Sequence, residues 1–296
     1  MSQTDDFRIF SQIEPEPSQA PPPPKQSETI KLRHLDKSTQ SQIISAVARY
    51  VLFQGLSGQP IDKSKLKDAV PDNTKDLRVA NAALDEARAR LNIVGFDLKR
   101  APDSILNKKG MPAKFKDRYY VVNIVKDDDE GSHSRELQGQ NVDNSIEKGL
   151  LMIVLGLIYC KGEMRNQLRW LAEDALYKML HSLDENIPAE PDEKRKRTRL
   201  DMSSLSAARG SGVALTPNVD DAIERFVQMD YLIRDKVEQD NAAIENKIAY
   251  AMGPRAYLEV GQRQLIYFCA QATGSGEPDA SMLAEVDDEG HKEEQK

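Results

Sequence analysis

Residues 75–125 read KDLRVANAALDEARARLNIVGFDLKRAPDSILNKKGMPAKFKDRYYVVNIV, and this stretch decides the fold. Its first part is helical over roughly Lys75 to Leu91, with Leu77, Ala80, Leu84, Ala87 and Leu91 on one side. Ile93–Lys99 and Tyr119–Val125 then read as two strands. Between them lies a loop with Asn107-Lys108-Lys109-Gly110 and Pro112, residue types that punctuate regular structure. Upstream, Ile43, Ile44, Val47, Tyr50 and Val51 sit at helical spacing and predict a first helix ending near Gly55–Gly58. After Pro60–Ile61, Asp62 is placed to cap a second helix that turns Leu66 and Ala69 inward. Three helices followed by a two-stranded hairpin is the plan of a winged helix.

The plan repeats. Ser145 to Cys160 predicts a helix that buries Leu150, Leu151, Val154, Leu157 and Ile158. Met164 to Leu183, with Leu168, Leu171, Leu176 and Leu180, reads as a second helical stretch. Thr216 as cap with Pro217 at the first position opens a third, with Ile223, Phe226 and Val227 facing in. Tyr231–Val237 and Ile248–Met252 are candidate strands, and a last helix after Gly253-Pro254 carries Leu258, Leu265, Ile266, Phe268 and Cys269. The expected fold class is α+β, mainly α, with tandem winged-helix domains.

The expected organisation is a disordered Pro-rich leader over 1–37, winged helix A over 38–126 and an acidic linker over 127–144. Winged helix B then spans 145–273 with a long insert at 184–215, and an acidic disordered tail covers 274–296. The leader, with Pro15, Pro17 and Pro21 to Pro24, reads as an extended arm or as a ligand for a proline-binding domain. The insert carries Lys194-Arg195-Lys196-Arg197-Thr198-Arg199, which reads as a nuclear import signal, a phosphate-binding loop or a solvated charged run.

The chain has 296 residues and a formal net charge of −7, which would argue against nucleic acid if the charge were evenly spread. It is not. Residues 38–125 stand at +6, 145–273 at −2, the connector 126–144 at −4, the tail at −6 and the leader at −1. In the first domain the positive charge gathers where a winged helix meets DNA. Lys108, Lys109, Lys114, Lys116 and Arg118 lie in or beside the wing, and Lys75, Arg78, Arg88 and Arg90 lie on the third helix. Such residues would hold phosphates with strong salt dependence and little sequence preference, or else form a solvated basic surface. Arg225, Arg234, Lys236 and Arg255 are candidates in the second domain by position.

Catalysis has no candidate constellation. There is no G-x-x-x-x-G-K-[S/T], Cys-x-x-Cys or H-E-x-x-H, and neither Gly210–Gly212 nor Gly274–Gly276 follows a strand and opens a helix. His34, His133, His181 and His291 have no chelate spacing, so no metal and no cofactor is expected. Cys160 and Cys269, in apolar helical stretches, read as core residues of a reduced compartment. The twelve-residue apolar run Gly149 to Cys160 is short of the roughly 20 residues a bilayer span needs, and the start of the chain, with Asp5 and Asp6, lacks a secretory leader's apolar region. Neither a membrane nor export is expected.

Three motifs carry a family resemblance. Gly149-Leu150-Leu151-Met152-Ile153-Val154-Leu155-Gly156-Leu157-Ile158-Tyr159 with Lys161-Gly162 resembles the opening of a MAGE homology domain. Met252-Gly253-Pro254-Arg255-Ala256-Tyr257-Leu258-Glu259 resembles that domain's Gly-Pro-Arg-Ala signature before its last helix. Val47-Ala48-Arg49-Tyr50-Val51-Leu52-Phe53 with Pro60-Ile61 resembles the family's first helix and turn. The resemblance covers about 38–273 apart from the insert, and it points to the MAGE member found as non-SMC element three of the SMC five-six complex. It implies tandem winged helices and a non-enzymatic, nuclear, chromosome-associated role in DNA repair and recombination. The implied partners are the RING-type non-SMC element one, the kleisin non-SMC element four, the SMC five-six heterodimer and double-stranded DNA, with the chain stimulating a RING-type ubiquitin ligase. Leu150 and Leu151 match the family's dileucine position, associated with RING-ligase partners, while their place on an apolar helix equally fits core packing. The insert is longer than the family's at this place, so the kleisin groove is expected to be remodelled or partly covered. Two other readings stand beside this one: a sequence-specific winged-helix transcription regulator, which needs base-reading Asn, Gln and Arg on the third helix, and an adaptor of another ubiquitin ligase without a DNA role.

Overall fold

The computed structural model describes residues 34–71, 76–124, 143–191, 218–237 and 247–274, together with 32, 276–278, 280 and 283. The chain divides into two units: 1–140 with 254–296, and 141–253.

Unit 1 opens with α1 (Lys37–Leu56), capped by Asp36, whose carboxylate accepts from the Thr39 N–H at 2.9 Å. Burial of Ile43, Ile44, Val47 and Val51 follows the expected stripe. A two-residue strand β1 (Ile61–Asp62) leads into a 3-10 helix over Lys63–Ala69. Asp62 caps it as expected, through the Ser64 N–H, but the short Lys-Ser-Lys-Leu-Lys run winds as 3-10 with Leu66 alone fully inward. Helix α2 (Leu77–Ile93) starts at the Asp76 cap and buries seven residues from Val79 to Leu91. Strands β2 (Phe96–Lys99) and β3 (Arg118–Asn123) complete an antiparallel sheet in the order β1-β3-β2. Asp62 lies opposite Arg118, and Lys99 opposite Tyr120.

The segment between β2 and β3 is not the open loop expected of a wing. It holds a short helix α3 (Asp103–Leu106) and a 3-10 helix over Ala113–Asp117, and it buries Ala101, Ile105, Leu106, Met111 and Phe115. Those five apolar side chains give the segment a face to pack, which is why it folds down.

Unit 2 begins with α4 (Asp143–Lys161), which buries Leu150, Leu151, Val154, Leu155, Ile158 and Tyr159. Cys160 follows that stripe on the opposite face and is exposed, and Cys269 is half-buried, so neither is the core residue expected. Strands β4 (Glu163–Arg165) and β5 (Leu168–Ala172) replace the first part of the helix expected from Met164. Arg165 pairs with Leu168, and the two residues between them, Asn166 and Gln167, both have positive φ, 51° and 67°. That is the two-residue turn whose twist matches a hairpin. Helix α5 (Glu173–Leu183) follows. Helix α6 (Val219–Gln228) is capped by Asn218, which accepts from the Asp220 N–H at 3.1 Å. The cap is therefore two residues later than the expected Thr216, which with Pro217 lies outside the described residues. Strands β6 (Leu232–Val237) and β7 (Lys247–Met252) close a four-stranded sheet in the order β4-β5-β7-β6. Both units thus build an antiparallel sheet on a helical layer and end in a hairpin; in unit 1 β1 pairs with β3, and in unit 2 β5, itself paired with β4, pairs with β7. The fold is α+β, mainly α, a pair of winged helices.

Helices α7 (Pro254–Glu259) and α8 (Gln262–Ala272) belong to unit 1, not to the second winged helix expected over 145–273. Gly261, at φ 73°, breaks them apart. The buried Arg255 supplies the anchor: it donates to the Gly58 carbonyl, pairs with Glu259 at 2.7 Å and lies 5.9 Å from the Tyr120 ring centroid.

Candidate nucleic-acid interface

The β1–β3 pairing makes the site. Because Asp62 faces Arg118 in register, the two 3-10 helices adjoining them both join the sheet at the same end. Lys63 and Lys65 come from one, Lys114 and Lys116 from the other. Lys65, Lys67, Lys114 and Lys116 are exposed and Lys63 is half-buried. None of the five forms an ion pair among the described residues. The buried Phe115 is a shared platform, with the Lys114 Nζ 5.0 Å and the Arg118 guanidinium 5.3 Å from its ring centroid. Burial pushes the Asp62 carboxyl up. The two hydrogen bonds from Ser64 and the charges of Arg118 and Lys65 prevail and hold it below its ordinary value of 3.8, so it stays ionised among these cations.

Other candidates from the sequence are placed elsewhere. Lys108 sets its Nζ 5.5 Å from the Tyr257 ring centroid, joining the β2–β3 segment to α7. Lys109 is exposed on that segment, and Arg78 is exposed in the first turn of α2. Arg88 is committed to the sheet: its Nε and Nη2 grip both oxygens of the buried Asp97, at 2.5 and 3.0 Å. Arg90 donates to the Ser45 hydroxyl at 2.7 Å. In unit 2, Arg225 pairs with Glu147 at 2.9 Å and Arg234 with Glu224 at 2.5 Å, while Lys236 is exposed. Arg255 is 8% exposed and held on three sides, by Gly58, Glu259 and Tyr120. Lys75 and the run 194–199 lie outside the described residues.

Sequence reasoning missed Lys63, Lys65 and Lys67. Their signal was a plain alternation of lysine in a segment read only for its cap and its apolar contacts; β1, which carries them to the wing, is two residues long. Leu150 and Leu151 are buried, at 9% and 7% exposure. The large apolar side chains at the surface are others: Phe53, Leu56, Ile93 and Val94 in unit 1, and Ile146, Met164 and Leu183 in unit 2.

Unit 2 holds a buried polar network instead of a basic face. The Tyr177 hydroxyl donates to Asp220, joining α5 to the start of α6, and the Tyr250 hydroxyl donates to Glu173 at 2.8 Å, joining β7 to α5. Burial first, then the neighbouring carboxylates, raise both phenols well above their ordinary value. No group of acids, histidines and cysteines able to hold a metal occurs among the described residues, and no described helix is long and apolar enough to cross a membrane.

Comparison with known proteins adds the following. The family model of the MAGE homology domain matches residues 47–263. A chain of the solved Nse1-Nse3-Nse4 complex matches with a TM-score of 0.54 and 20% identity, covering 86% of this chain and 99% of that one; at this identity the likeness is one of fold. No curated protein matches.

Proposed function

This chain belongs to the MAGE homology domain family, and from that premise we propose that it is a non-catalytic subunit of an SMC five-six-type complex, bridging a RING ubiquitin-ligase subunit and a kleisin. In this role it serves DNA repair and chromosome maintenance in the nucleus, and it stimulates its RING partner while contacting double-stranded DNA. Support for the partners comes from the fold shared with a chain of the Nse1-Nse3-Nse4 complex. The observation that supports DNA contact is the convergence of Lys63, Lys65, Lys114, Lys116 and Arg118 at one end of the unit 1 sheet. Lysines there reach phosphates as point charges, without reading bases.

A sequence-specific regulator is a poorer fit. The exposed part of α2 offers Arg78 and Arg90, but Arg88 is taken by Asp97, the Asn81 side-chain oxygen is buried, and Glu86 would repel phosphate. For the protein partners, the exposed Phe53, Leu56, Ile93 and Val94, and in the other unit Ile146, Met164 and Leu183, are the apolar groups available for direct contact. Leu150 and Leu151 would act through the helix they hold in place.

The test is reconstitution with RING-type and kleisin-type subunits, then titration of a mixed-sequence duplex at several salt concentrations. Reversal of Lys63, Lys65, Lys114 and Lys116 to Glu is expected to weaken binding and to lower the salt slope by about 0.9 per lost phosphate contact. Failure to co-purify with either partner would remove the scaffold role, and an unchanged slope would remove this face as the DNA contact.

A further inference from the structure

We propose that the acidic segment 274–296 docks onto the basic face of unit 1, its own unit, and competes there with nucleic acid. The docking stands on charge and placement; the competition rests on the DNA reading above.

The segment carries eight acidic and two basic side chains, against a surplus of six positive charges in residues 38–125. Acid of this density is drawn to exposed cations, and Lys63, Lys65, Lys114 and Lys116 form no ion pair among the described residues, with Asp62 and Asp85 the carboxylates whose charge Lys65 and Lys63 feel. Where the segment starts matters as much as its charge. It follows α8, and α7 and α8 are fastened to unit 1 by Arg255 on Gly58 and by Tyr257 under Lys108. The Thr273 hydroxyl donates to the Cys269 carbonyl at 3.0 Å and ends α8, so the acidic segment leaves from unit 1 itself.

Reach is sufficient. The eleven residues of α8 advance about 16 Å from the neighbourhood of Lys108. Fully extended, a chain of 23 residues reaches at most about 76 Å. A tether of this length holds its charges near the face at roughly millimolar effective concentration, enough to occupy a site whose contacts are individually weak and screened by salt. The connector is the other acidic candidate, but it carries less charge. It also leaves β3 beyond Asn123, about 17 Å along the strand from Arg118.

Three forms of the protein test this: the full chain, a chain ending at residue 273, and the full chain with its eight tail acids changed to Gln or Asn. Acetylation of lysines is followed by mass spectrometry without nucleic acid. At about 50 mM salt the full chain should modify Lys63, Lys65, Lys114 and Lys116 on the order of 3-fold more slowly than the other two forms, and high salt should abolish the difference. Equal rates in all forms at low salt would overturn the docking. So would equal protection in both altered forms but exposure on neutralising Asp127, Asp128, Asp129 and Glu130, which would make the connector the occupant. In parallel, truncation should tighten binding of a mixed-sequence duplex about 2–10-fold at low salt and steepen its salt slope. Protected lysines with unchanged duplex affinity would overturn the competition. Protected lysines with no duplex binding by any form would overturn the nucleic-acid reading and leave the docked segment standing.

Discussion

Arg255→Ala tests whether the family's Gly-Pro-Arg-Ala arginine is a DNA ligand or an anchor. The side chain is about one-tenth exposed, and three contacts are lost with it: the bond to the Gly58 carbonyl, the pair with Glu259 at 2.7 Å and the approach to Tyr120 at 5.9 Å. A charged donor to a buried carbonyl contributes about 1.5–3 kcal/mol, and the cation–π contact about 0.5–1 kcal/mol. The Glu259 carboxylate keeps some contact with solvent, so its isolation adds little. The expected loss is about 2–4 kcal/mol of unit 1 stability. Hydrogen exchange read by mass spectrometry localises it: peptides covering Gly58, Tyr120 and 254–272 should lose protection, whereas the Lys63–Lys67 lysines should keep whatever duplex affinity the intact protein has. Arg255→Lys should recover only part of the protection, because one ammonium cannot serve Gly58 and Glu259 with the fork of a guanidinium. Native exchange in those peptides together with a fall in duplex affinity would refute the anchor reading.

Three further outcomes are expected. Burial raises the Asp97 carboxyl, but the hydrogen bond and charge of Arg88 and the Leu98 N–H prevail and hold it below 3.8. The group therefore adds stability above that pH and loses it as pH falls through its folded value. Asp97→Asn should cost about 1–3 kcal/mol at neutral pH in chemical denaturation, a gap that shrinks as pH falls below 3.8; a gap that does not change with acid would contradict the ion pair. Gly55→Ala places a Cβ 2.4 Å from the Val121 side chain, and should cost about 1–3 kcal/mol by calorimetry. Leu151→Ala should cost about 2–5 kcal/mol in unit 2, visible in the fluorescence of Trp170, the only tryptophan, and any loss of partner binding should track that loss of folding.

Much of the candidate interface was legible in part only. Lys114, Lys116 and Arg118 could be placed beside a wing from sequence, since they precede a strand rich in Tyr and Val. Their neighbours Lys63 and Lys65 could not, because a pairing of two residues across more than fifty positions leaves no local pattern. Arg225, Arg234 and Arg255 were selected by position, and nothing local says that Glu147, Glu224 and Gly58 would take them. Residues 164–172 are strands and not the expected start of a helix: their leucines also suit helical spacing, while the positive φ of Asn166 and Gln167 is a property of the folded turn.

The sequence by itself determined the two winged helices. Helical stripes such as Ile43, Val47 and Val51, the Asp62 cap and the family motifs are all local patterns, which neighbouring residues settle among themselves. It also determined that the net charge of −7 divides into a basic first domain and acidic connector and tail. Only the tertiary structure decided which cations are spent internally, that the wing segment folds down and buries Phe115, and that α7 and α8 return to unit 1. Each of these depends on groups distant in the chain meeting at hydrogen-bond range, and a linear pattern carries no record of such meetings.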